Sequence, residues 1–229
     1  MDANNRILDS VELETGPAPQ WSVIWLHGLG ADGNDFAPIV PELVRKQWPA
    51  IRFVFPHAPV RPVTINNGVP MRAWYDIVGM DFASRADSAG VDESIQLASA
   101  LIEREHQRGV DAGRVLLAGF SQGGAIALAA ALRRTTPLAG IIALSTYLPG
   151  AETAVPSVTS AGQSQPVFMA HGIGDQVIPL VHAERSKDLL QSMGLDVQWH
   201  AYPMAHQVCA EEIRDLGDWL TVRFEAAGV

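Results

Sequence analysis

Arg114-Val-Leu-Leu-Ala-Gly-Phe-Ser121-Gln-Gly-Gly-Ala-Ile-Ala-Leu-Ala-Ala-Ala131 runs from an apolar stretch into an alanine-rich one, with a serine at the junction. The first part reads as a strand and the second as a helix, so Ser121 marks a sharp turn between them. Gly119 and Gly123, two before and two after the serine, remove the Cβ atoms that would clash where strand and helix nearly touch. Such a turn lifts the hydroxyl clear of the sheet and leaves amides free at the helix N-terminus. A hydroxyl in that position adds little to folding and suits a nucleophile. The plainer alternative is a strand-to-helix turn with a serine N-cap.

Outward from this segment, short apolar runs alternate with amphipathic stretches. Strands are expected at 21–26, 51–55, 114–119, 138–145, 166–170 and 197–202. Helices are expected at 92–108, 181–193 and about 211–224, with Gly109 and Gly194 just past the ends of the first two. This alternation predicts an α/β fold with a mostly parallel central sheet and helices on both faces. The chain has 229 residues, of which 48% are hydrophobic, and no glycine/serine-rich linker divides it, so residues 1–229 read as a single domain. From Val60 to Gly90 the rhythm breaks, yet the segment holds Trp74, Tyr75, Met80 and other apolar residues. A long irregular segment so rich in apolar side chains reads as a loop and short hairpin lining an acyl pocket. For any one residue there, packing onto a neighbouring helix is the alternative.

A formal net charge of −9 leaves no basic excess to neutralise phosphates, which argues against a nucleic-acid partner. The single cysteine, Cys209, excludes an internal disulfide and fits a reducing compartment. The first ten residues carry acids and no apolar core, unlike a signal peptide, and no apolar run is long enough to span a bilayer. A cytoplasmic protein with no stable membrane insertion is expected, as a monomer or homodimer.

A serine hydroxyl needs a base to take its proton, and the base works best when a carboxylate orients it. In a sheet built this way the order along the chain is nucleophile, acid, histidine, each on a loop leaving the carboxyl end of a strand. Of the five aspartates after Ser121, only Asp175 lies just beyond an expected strand; the others sit in helical patterns or at a strand's wrong end. Of the four histidines after Ser121, His206 falls in the loop between the last strand and the last helix. Acyl transfer also needs donors for an oxyanion. The Gln122 amide follows the nucleophile, and the Leu29 amide lies in the turn His27-Gly28-Leu29-Gly30 after an early strand. His27 reads as a hydrogen-bonder holding that turn rather than as a second base.

Leu26-His-Gly-Leu-Gly30, Trp74-Tyr-Asp76, Gly119-Phe-Ser-Gln-Gly-Gly124, Gly174-Asp175, Val177-Ile-Pro179 and Met204-Ala-His206 together resemble the phospholipase/carboxylesterase family, whose members include small bacterial carboxylesterases and acyl-protein thioesterases. The matches keep their order across nearly the whole chain. The resemblance implies an α/β-hydrolase fold with no large lid domain. It implies Ser121, Asp175 and His206 as the catalytic residues, the Leu29 and Gln122 amides as oxyanion hole, and no metal or cofactor. The activity to expect is a serine carboxylesterase hydrolysing carboxylic esters, with thioesters as an extension, through an acyl-enzyme. The same machinery also serves acyl-protein thioesterases and lysophospholipases. A non-catalytic ligand-binding hydrolase fold is the rival from another class. Trp74, Tyr75 and Met80 are the expected substrate-binding residues on a small-molecule ester or acyl substrate. Tyr75, where some relatives carry phenylalanine, brings a hydroxyl beside Trp74.

Overall fold

The computed structural model of the chain describes residues 7–82, 85–150 and 158–226. Its elements in chain order are β1 (Ser10–Glu14), β2 (Trp21–Leu26), α1 (Val40–Leu43), β3 (Ile51–Pro56), β4 (Val60–Val63), β5 (Val69–Arg72), α2 (Ser88–Gln107) and β6 (Val115–Phe120). There follow α3 (Gln122–Leu132), β7 (Gly140–Leu144), α4 (Ser160–Gln163), β8 (Val167–Gly172), α5 (Leu180–Ser192), β9 (Val197–Tyr202) and α6 (Ala210–Ala226). Seven strands form one sheet in the order β1-β3-β2-β6-β7-β8-β9, and β4 pairs with β5 as a separate hairpin. Only β1 runs antiparallel, against β3; the remaining neighbours in the large sheet are parallel.

The central strands are apolar on both faces because both faces are covered. Along β2, Val23 and Trp25 face one core, while Ile24 and Leu26 face the other. The first core is closed by α1 and α6 through Leu43, Leu216, Trp219 and Phe224. The second is closed by α2, α3 and α5 through Ile95, Leu101, Ile126 and Leu190. Helix α3 is buried along its entire length. A Cβ added at Gly123 would lie 2.2 Å from the Leu26 carbonyl oxygen, so the helix starts in direct backbone contact with β2.

All six expected strands form, β2 and β9 to the residue and the others with ends shifted by one or two residues. The half-exposed edge strand β1 was not among them: Ser10-Val-Glu-Leu-Glu14 is too short and polar to stand out from a terminus. Nor were α1 and α4, single turns of four residues each. Helix α2 begins at Ser88, earlier than its apolar periodicity, because the Asp87 carboxylate caps the Ala89 and Gly90 amides. Within 60–90, the expected hairpin is β4–β5. Its turn places Asn67 and Gly68 at φ 56° and 72°.

Register brings the site together. Leu26 pairs with Gly119 and Phe120 with Leu144, so β2, β6 and β7 end level with one another. The loops that leave these carboxyl ends, together with those after β8 and β9, carry His27, Ser121, Asp175 and His206.

Candidate active site

Ser121 stands between β6 and α3 at φ 55°, ψ −121°, a conformation that side chains seldom adopt. The turn is held by hydrogen bonds. The Ser121 amide donates to the Leu144 carbonyl and the Ser121 carbonyl accepts from Thr146 Oγ1 at 2.7 Å, while Gly28 passes so near that a Cβ there would lie 3.5 Å from the serine Cβ. What remains for the hydroxyl is His206, whose Nε2 lies 2.9 Å from Ser121 Oγ.

Asp175 and His206 come from the loops after β8 and β9. Gly172 allows these loops to touch, since a Cβ there would lie 2.3 Å from the Ala205 carbonyl oxygen. His206 Nδ1 donates to Asp175 Oδ2 at 2.7 Å, while Asp175 Oδ1 accepts from the Val177 and Ile178 amides at 2.8 and 2.9 Å. Burial pushes the Asp175 carboxyl pKa up, but the hydrogen bond from His206 and the two amides outweigh it and hold the group below the usual carboxylate range. The aspartate is therefore a fixed anion with every oxygen engaged. It sets the imidazole tautomer, leaving Nε2 free to accept a proton from the serine.

Two further histidines support the site as neutral rings. His27 Nδ1 bonds the Gly28 carbonyl at 2.7 Å and Nε2 accepts from the Ala58 amide at 3.0 Å, which pins the turn carrying Leu29. His171, fully buried, reaches the Ile178 carbonyl at 2.8 Å through Nε2 and sits 3.4 Å from Asp175. Burial lowers both pKa values, so neither ring brings a positive charge to the cluster. Among the described residues no bond pairs the Leu29 amide, and the Gln122 amide, the first in α3, is one of those that a helix start leaves open.

The three residues expected to bind substrate lie in different surroundings. Trp74 and Tyr75 are fully buried, whereas Met80 is 78% exposed. Trp74 Nε1 donates to the His27 carbonyl and the Tyr75 hydroxyl meets that of Tyr147 at 3.1 Å, so the two rings back the site without reaching solvent. The Gln122 side chain, unlike its amide, was not singled out in the sequence. It accepts from the Trp74 amide and donates to the Tyr75 carbonyl, both at 2.8 Å, fastening the irregular segment onto the start of α3. Thr146 and His171 were also missed: a threonine after a strand and a histidine at a strand end carry no local signal of the partners that folding gives them.

A family profile for phospholipase/carboxylesterase matches residues 10–223. The chain belongs to the phospholipase/carboxylesterase family. It shares 39% identity over 211 residues with acyl-protein thioesterase 1 of Neurospora crassa, covering 88% of this chain and 86% of that protein. Acyl-protein thioesterase 1 of Mycosarcoma maydis is 38% identical over 223 residues, 90% of this chain and 92% of that one. The crystal structure of Zea mays acyl-protein thioesterase 2 superimposes with a TM-score of 0.78 at 27% identity, covering 94% of this chain and all of its counterpart. The fold is that of an α/β-hydrolase, and this phospholipase/carboxylesterase member is a serine hydrolase acting on ester bonds. Among the described residues, no helix is long and apolar enough to cross a membrane.

Proposed function

We propose that the 229-residue chain works as one domain that hydrolyses carboxylic esters and acyl thioesters, with Ser121 as nucleophile, His206 as base and Asp175 as orienting anion. The observation that carries this reading is the hydrogen-bonded chain from Asp175 Oδ2 through His206 to Ser121 Oγ, at 2.7 and 2.9 Å. The relatedness to acyl-protein thioesterases over most of the chain supports including thioesters. The single cysteine leads us to infer a reducing, cytoplasmic setting.

Ser121 Oγ attacks the acyl carbon as its proton passes to His206 Nε2. The carbonyl oxygen becomes an oxyanion held by the Leu29 and Gln122 amides, which the nearby chain leaves unpaired. Collapse breaks the bond to the leaving oxygen or sulfur, and His206 returns the proton to it. Water then attacks the acyl-enzyme, again through His206, releasing the acid and restoring Ser121. Asp175 stays ionised throughout. Met80 is the member of its trio able to touch a bound acyl chain; Trp74 and Tyr75 act from behind by holding the wall in place.

The test is a comparison of p-nitrophenyl butyrate with an S-butyryl thiol on wild type and Ser121→Ala. Wild type is expected to turn over both and to be labelled once by a fluorophosphonate. The variant should fold and do neither. Undiminished turnover by Ser121→Ala would discard the assignment.

A further inference from the structure

Beside His206 a groove of about 430 Å³ opens between α1 and α6. Its apolar lining comes from Phe36, Ile39, Phe120, Val208 and Ile213. The rings run in sequence toward the base: Phe36 lies 5.3 Å from Phe120, and Phe120 lies 4.8 Å from the His206 imidazole. At the rim stand two carboxylates, Asp35 and Glu42, and neither arginine nor lysine lines the groove. Past Glu42 and Ile213 it continues into a second hollow holding Arg45 and Arg214. Arg45 is already paired with Asp218 at 2.7 Å, and Arg214 lies 3.6 and 3.7 Å from Glu211 and Asp215. The mouth therefore carries uncompensated negative charge.

We propose that this groove is the leaving-group site, shaped for an apolar alcohol or thiol that carries a positive charge. The inference rests on the assignment of Ser121 and His206 made above. In the tetrahedral intermediate the four substituents on carbon point apart. The oxyanion is taken by the amides and the leaving atom must sit within hydrogen-bond reach of His206 Nε2, which returns its proton. A groove walled by His206 itself thus receives whatever is attached to the leaving atom. The acyl chain, pointing elsewhere, is directed away from it. The apolar floor then buries methylenes, and Asp35 and Glu42 meet a cation at the rim.

Esters with one acyl group and different alcohols test this: the butyrates of methanol, 1-hexanol, 6-(trimethylammonio)hexanol and 6-hydroxyhexanoate. For wild type, kcat/KM is expected to rise about tenfold or more from methyl to hexyl, and to favour the cationic over the anionic ester. Glu42→Lys changes an exposed rim residue, so folding is not at issue; it should cut the cation-to-anion ratio by about three- to tenfold at low salt. Ile213→Trp, which fills the groove, should collapse the hexyl-to-methyl ratio. Equal kcat/KM for all four alcohols, or ratios that both variants leave untouched, would overturn the proposal. So would variants that alter acyl-length preference and deacylation instead, since deacylation occurs after the alcohol has left. A wild type inactive even on p-nitrophenyl butyrate would point instead to failure of the Ser121 assignment, and the proposal would fall with it.

Discussion

At Ser121 the backbone pays for chemistry: a side chain held at φ 55°, ψ −121° costs on the order of 1–3 kcal/mol relative to an ordinary conformation. Hydrogen bonds to Leu144 and Thr146 maintain it. Ser121→Ala keeps the Cβ and hence the strain, while Ser121→Gly removes both. Glycine loses about 0.5–1 kcal/mol through its freer unfolded chain, so the glycine variant is expected to be about 1 kcal/mol more stable than the alanine variant. Chemical denaturation of the two inactive proteins measures that gap, and an alanine variant equal to or more stable than glycine would show the turn to be relaxed. The orienting anion permits a second prediction. In Asp175→Asn an oxygen can still accept the Val177 and Ile178 amides, but an NH₂ then faces His206 Nδ1 and forces the wrong tautomer. The fold should persist while kcat falls by on the order of 10⁴; a fall below tenfold in steady-state assays would deny Asp175 its role. The meeting of Asp175 with His206 was legible in the sequence because topology narrows the choice: one aspartate and one histidine follow strands in the required order. Thr146 and His171 were not, because their contacts with Ser121 and Asp175 depend on register between distant strands.

The junction of β2, β6 and α3 tolerates no side chain at the second glycine of the serine motif. At Gly123 a Cβ would meet the Leu26 carbonyl oxygen at 2.2 Å and the His27 carbonyl oxygen at 2.6 Å, both rigid backbone. Gly123→Ala must push α3 away from β2 and with it the Gln122 amide and Ser121. A loss of about 3 kcal/mol or more is expected, together with reduced turnover, read by thermal unfolding and ester hydrolysis. Gly68→Ala, in the open hairpin turn with no atom within 4 Å, should cost only the strain of its φ of 72° and leave hydrolysis as it was. Wild-type stability in Gly123→Ala would mean that the close approach is not structural. Elements with a strong periodicity or an unbroken apolar run were readable from the sequence, as β2 and β9 were to the residue. Those held by one capping side chain or one pairing partner were not. Helix α2 gained its first turn from Asp87, and β1 exists only because Ser10–Glu14 finds the free edge of β3. In the 60–90 segment the sequence suggested a loop and short hairpin lining an acyl pocket, with packing onto a neighbouring helix as the alternative for any one residue; Trp74 and Tyr75 are enclosed and Met80 is exposed, a division that composition does not carry.

Across the whole molecule, two cores on either side of one sheet were implied by apolar strands and amphipathic helices, yet Glu212 sits in that interior without the ion pairs that accompany a buried acid such as Glu105. Glu212, in the first turn of α6, faces inward, is 1% exposed, and neither of its carboxylate oxygens makes a well-formed hydrogen bond. Its place in the helix is suited to an acid, since the N-terminal dipole favours negative charge, but burial dominates. Burial pushes its pKa up to about 8, with the nearby Cys209 amide offsetting only part of the rise. At pH 6 the folded protein thus holds a proton on Glu212 that the unfolded chain, near the ordinary value of 4.5, has released. The sign follows from the proton count: the stability contributed by the buried neutral acid is complete below pH 4.5, declines as pH rises, and is gone above about 8. Glu212→Gln, which keeps the shape and cannot ionise, should therefore match wild type at pH 5 and exceed it at pH 8.5 by on the order of a few kcal/mol. Urea unfolding at both pH values measures the difference. An advantage that does not grow with pH would mean that Glu212 is charged in the folded protein, and that solvent or a shift of α6 reaches it.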